Sequence, residues 1–169
     1  PGKPVKGVRQ VGILAGNAKN SKIFNCQVKG DVEGTGAVGG MIGHMEGSTV
    51  ENGMAQVTVR TTGRAAGAQA LAGGIAGEAA DDSRIIDCQV HTGDNSTSRI
   101  QGTDATVGGI VGLQNGAALY NTYVNGTIGG SGSQNVGGLV GERISGDLKV
   151  GRFEGMIGQS GTGAAGHRG

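Results

Sequence analysis

The sequence predicts an all-β fold built from repeats: a β-solenoid of about five coils, of the parallel β-helix or β-roll kind. Three observations carry that expectation. A glycine phrase, Val107-Gly108-Gly109-Ile110-Val111-Gly112, recurs as Val38-Gly39-Gly40-Met41-Ile42-Gly43, Ala72-Gly73-Gly74-Ile75-Ala76-Gly77 and Val136-Gly137-Gly138-Leu139-Val140-Gly141, with a worn copy at Val11-Gly12-Ile13-Leu14-Ala15-Gly16. From the last glycine of each anchor to an Asn or Asp takes nine, nine, ten and nine residues, reaching Asn25, Asn52, Asp87 and Asn121. The intervening segments are four to seven residues long, β-branched, alternating and bounded by glycine, with no sustained helical period.

In chain order, residues 1–10 form a polar lead-in or cap, 11–158 the repeats, and 159–169 a flexible Gly-rich tail. Each repeat opens on its anchor. It continues into Ile23-Phe24-Asn25-Cys26-Gln27-Val28, Val50-Glu51-Asn52-Gly53-Met54-Ala55, Ile85-Ile86-Asp87-Cys88-Gln89-Val90 or Leu119-Tyr120-Asn121-Thr122-Tyr123-Val124. A third short phrase, such as Lys29-Gly30-Asp31-Val32 or Asn125-Gly126-Thr127-Ile128, precedes a glycine-rich turn. The fifth repeat, around Leu148-Lys149-Val150-Gly151-Arg152-Phe153, has lost its Asn, as terminal repeats of arrays often do.

Stacking at about 4.8 Å places equivalent residues over one another. Asn25, Asn52, Asp87 and Asn121 should then form a ladder, either inside the stack or at a turn where Asn and Asp hold the backbone. Cys26 and Cys88 fall two coils apart, about 9.6 Å on that spacing. A disulfide needs Cα atoms within roughly 7 Å, so two buried free thiols are expected.

The composition bounds the function. Glycine contributes 38 residues and tryptophan none, with two each of Tyr and Phe, so the interior must be built from aliphatic side chains. Net charge is +1, with 14 basic and 13 acidic residues scattered singly, which offers nucleic acid neither a basic stripe nor a stacking platform. No run of eighteen apolar residues exists to span a membrane. Beginning at Pro1 without an initiating Met, the chain reads as a processed product or a piece of something larger.

Chemistry-bearing motifs are sparse. Gly34-Thr35-Gly36-Ala37-Val38-Gly39 and Gly161-Thr162-Gly163-Ala164-Ala165-Gly166 fit a dinucleotide-binding pattern but open no helix. Glu46, Glu78, Asp81 and Asp82 form either a solvated turn, a weak cation site or a catalytic pair. No catalytic set, cofactor or metal site is expected.

One irregularity stands out. From the Asn or Asp to the next anchor takes 13 residues in repeat one and 15 in repeat four, but 20 in repeats two and three. The excess lies in residues 61–69 and 91–101, expected at the same point of adjacent coils, where protruding loops would sit side by side. Arg64, Gln69, His91, Asp94 and Arg99 are the candidate partner-binding residues of that face; tolerated surface length is the plain alternative.

The phrase Gly-Gly-(Ile/Leu)-Val-Gly, followed at fixed distance by Ile-x-Asn-x-x-Val-x-Gly-x-(Val/Ile), resembles the GLUG-motif repeat from Val11 to about Gly158. It departs from that pattern at Ile13, at Gly53 and in the fifth copy, which leaves the coil count open. The resemblance implies a secreted or surface-exposed bacterial protein of the adhesin and virulence kind, in which such repeats form non-catalytic β-structural segments. The expected role is therefore structural or adhesive, with a host-cell surface protein, matrix protein or glycan as partner. A secreted effector binding a host protein, and a β-helix enzyme acting on polysaccharide, are the alternatives.

Overall fold

The computed structural model describes residues 2–63, 68–93, 99–132 and 135–158. They form an all-β structure with no helix, and every strand pairing among them is parallel. The pairing follows the repeat, so that each residue meets its counterpart in the next copy. Val11 lies beside Val38, Ala72 beside Val38 and Val107, and Val107 beside Val136. Those anchor strands, Gln10–Val11, Ala37–Gly39, Leu71–Gly73, Thr106–Gly108 and Asn135–Gly137, make a five-stranded sheet. The rest belong to a thirteen-stranded sheet.

Because register is kept, inward side chains stack in rows of like chemistry. One row is Ile23, Val50, Ile85, Leu119 and Leu148; another is Val28, Ala55, Val90, Val124 and Phe153. In both rows the middle members are fully buried, and Ile23, Leu148 and Phe153 at the ends are only partly so. At about 1.5–3 kcal/mol per fully buried Val, Leu or Ile, these rows are the main favourable contribution to the fold.

The anchors work by close approach of backbone. A Cβ on Gly39, Gly73, Gly108 or Gly137 would run into the carbonyl of Ile42, Ala76, Val111 or Val140 in its own repeat. Here the chain folds back so tightly that no side chain fits. The following glycines, Gly40, Gly74 and Gly109, are closed by a carbonyl of the next repeat, respectively Gly74, Gly109 and Gly138. Ile13, at that position in the first copy, is instead a partly buried residue at the margin of the core.

Two strands are longer than the separate phrases of the sequence suggest. Val111–Ser131 and Val140–Gly158 pair almost continuously, with register shifts at Gln114, Asn115 and Ala117. The bulge frees backbone groups, and the buried Gln114 answers it: its Nε2 donates to the carbonyls of Ala117 (2.7 Å) and Asp147 (2.9 Å).

Candidate functional site

The Asn/Asp ladder lies at an exposed corner. Asn25, Asn52, Asp87 and Asn121 have φ of 53°, 54°, 53° and 50°, the left-handed region that Asn and Asp tolerate best among residues with a Cβ. Their side chains also join neighbours: Asn52 Nδ2 donates to Asn25 Oδ1 at 2.7 Å, and Asn121 Nδ2 to Asp87 Oδ1 at 2.6 Å. Of the two expected placements the turn is the one observed: the row is exposed, not inside the stack, although its side chains still bond along it. Its fifth member, Val150, keeps φ at 55° without the Asn side chain and is 78% exposed.

A second ladder, of serines, escaped the sequence reading. Ser21 N–H donates to Ser48 Oγ (3.1 Å), and Ser48 N–H to Ser83 Oγ (3.2 Å). Ser48 Oγ in turn lies 3.1 Å from the carbonyl of Ala18 and 3.0 Å from that of Glu46. The signal was present, since Ser21, Ser48 and Ser83 each stand four residues before the Asn or Asp, but Ala117 breaks the pattern in repeat four.

The two cysteines are free, as expected, but unequal. Cys88 is buried, and burial pushes its thiol up to about 11; Cys26 is only half-buried because no repeat covers it on its outer side. Thr122 takes the same place in repeat four, and its Oγ1 is buried without a partner among the described residues.

A set of polar contacts lies along the smaller sheet and the strands that follow it. His44 Nδ1 is 3.0 Å from Glu78 Oε2, its counterpart in the next repeat, and that hydrogen bond raises the imidazole pKa against the opposing effect of burial. Asn17 Nδ2 donates to Gln10 Oε1 at one end, while Asn135 and Gln69 donate to Glu142 at the other. Ala37, Leu71 and Leu113 fill the space between as a small buried cluster. Of the four candidate carboxylates, Glu78 is engaged by His44 and Glu46 by Lys19 at 2.9 Å, whereas Asp81 and Asp82 turn the chain at positive φ. Among the described residues no group of three or more His, Cys, Asp or Glu is placed to hold a metal ion.

The insertions do not enter at the same point of the repeat. Between Gly34 and Ala37 repeat one uses two residues where repeat two, between Thr61 and Leu71, uses nine. In repeat three the extra length lies elsewhere, with eight residues between His91 and Ile100 where repeat two has two between Gln56 and Val59. The shared strand row Val59–Thr62 and Ile100–Thr103 separates them, so one loop leaves before it and the other after it. Equal totals from Asn or Asp to anchor concealed that difference.

Arg64 and Asp94 lie outside the described residues. Gln69 is exposed yet tied to the scaffold, its Nε2 donating to Thr106 Oγ1 and Glu142 Oε2. His91 packs edge-on against Tyr123, with ring centres 5.8 Å apart, and the Arg99 carbonyl accepts from Val59 N–H. Around Tyr123 the fifth repeat adds Glu154, which accepts from the phenol at 2.7 Å, and Arg152, 5.9 Å from the ring centre. The shared proton lifts the Tyr123 phenol above its usual range and holds the Glu154 carboxyl below its own.

Among the described residues no helix is long and apolar enough to cross a membrane. No protein-family model matches the chain, and neither a curated protein nor a solved structure matches it.

Proposed function

We propose that the chain is a β-solenoid segment of about five coils, akin to GLUG-motif repeats, serving as a non-catalytic structural or adhesive part of a secreted or surface-exposed bacterial protein. The observation that carries this reading is the fate of the recurring residues. The anchor glycines, the Asn/Asp row, the serine row and the aliphatic rows all connect one repeat to the next. Residues that serve the stack at every step have a structural reason to recur, whereas a binding residue has none.

Adhesion would be carried by what differs between repeats, and the insertions differ most. Their separation by the shared strand row favours two independent contact points over one composite patch. The test is binding of the purified chain to host cells, matrix proteins and glycans, beside two variants in which the repeat-two or the repeat-three insertion alone is cut to repeat-one length. Loss of binding in either variant, with unchanged β-sheet circular dichroism, assigns adhesion to that loop. Binding that survives both deletions moves adhesion to the repeat surface; no binding by any form removes the adhesive role and leaves a spacer.

A further inference from the structure

The two ends of the stack carry complementary unpartnered edges. Within the stack, three exposed pairs join neighbouring repeats: Lys6 with Glu33, Lys19 with Glu46, Tyr123 with Glu154. At the N-terminal edge, Lys22 and Lys29 have no ion-pair partner among the described residues, and Phe24 is 49% exposed. At the C-terminal edge, Val140–Gly158 pairs on one side only among the described residues, and Ile144 is 63% and Met156 67% exposed. Leu139, Leu148 and Phe153, which continue the core, are half-covered.

Extending each row by one step brings the two ends together. Lys22, Thr49, Arg84, Ala118 and Asp147 form one row, and Lys29, Gln56, His91, Asn125 and Glu154 another. A second copy placed in register below the fifth repeat would therefore set its Lys22 against Asp147 and its Lys29 against Glu154. Its Phe24 would meet Lys149, and its Ile23 and Val28 would continue the rows that end in Leu148 and Phe153. Two basic residues meet two acidic ones, which also hold contacts with Lys149 and Arg152 of their own strand, apolar meets apolar, and parallel edges pair.

We propose that copies of this chain associate head to tail through these edges, the C-terminal repeat of one pairing in parallel with the N-terminal repeat of the next. Such a contact is heterologous and does not close on itself, so it builds linear assemblies. The junction has one point of competition. Val5–Lys6 already lies beside Val32–Glu33, and Ile157–Gly158 is the last member of the same row, so it must displace that two-residue strand.

The test is sedimentation of the whole chain over a concentration series at low ionic strength. Wild type should associate. A Lys22→Glu/Lys29→Glu variant sets acid against acid at both contacts and an Asp147→Lys/Glu154→Lys variant base against base, so each alone should be weakened roughly ten-fold or more. An equimolar mixture of the two should regain wild-type association, and so should the chain carrying all four changes. A chain starting at Gly7, which lacks the competing strand, should associate at least as tightly as wild type. A wild type that stays monomeric, charge variants that associate as it does, a mixture that fails to recover, or weaker association of the shortened chain would each overturn the proposal.

Discussion

At the scale of single residues, the fold is decided by what sits at a few backbone positions. The exposed corner takes Asn or Asp four times at φ near 50°, and in the last repeat takes Val150 at 55°. A β-branched residue in the left-handed region costs roughly 1–2 kcal/mol, much of which Asn avoids. Val150→Asn should therefore stabilise the chain by about 1 kcal/mol in denaturant titration, and it would also offer Asn121 a partner. An unchanged or lower midpoint would show that the corner does not govern the last repeat. His44 gives a second prediction. The Glu78 hydrogen bond raises its pKa above 6.5 in the folded chain, so folding takes up protons as the pH falls through that range. That stabilisation is complete below the unfolded value and lost as pH rises through the folded one. His44→Gln should thus lower the melting temperature more at about pH 5.5 than at about pH 8.5; an equal effect at both would rule out the linkage.

At the scale of elements, the sequence was most informative where a residue type has a single geometric use. The anchor glycines announced the close approaches, and the Asn/Asp spacing announced the corner, because few side chains suit either place. The serine row was less legible: serine suits many environments, and Ala117 interrupts the spacing. Strand ends were less legible still, since Val111–Ser131 runs on past Asn121, which has no ladder partner of its own, and resumes pairing in the same register. The insertions were misplaced because a length count carries no register. Their position makes a prediction of its own. Each loop joins two strand rows that a neighbouring repeat connects with two residues, so cutting either back should alter stability by only about 1 kcal/mol, the scale of a change in loop-closure entropy. A drop several times larger would mean that the loop also packs on the sheet.

At the scale of the whole molecule, stability runs along one direction. Each repeat touches mainly its neighbours, so interior repeats gain two interfaces and terminal ones a single interface. The gradient is visible in the apolar rows, closed at the centre and partly open at Ile23, Leu148 and Phe153. Opening should begin at the ends and cost most in repeats two to four.

The two thiols turn that gradient into a clock. Cys26 and Cys88 occupy one position of the repeat at two depths, the first half-covered and the second buried with its pKa near 11. At neutral pH a thiol reagent should mark Cys26 early, through shallow fraying of the first repeat. It should reach Cys88 only when the third repeat parts from its neighbours. The ratio of the two labelling rates, read by mass spectrometry on the native protein, would measure how far opening at one end propagates before the whole stack gives way.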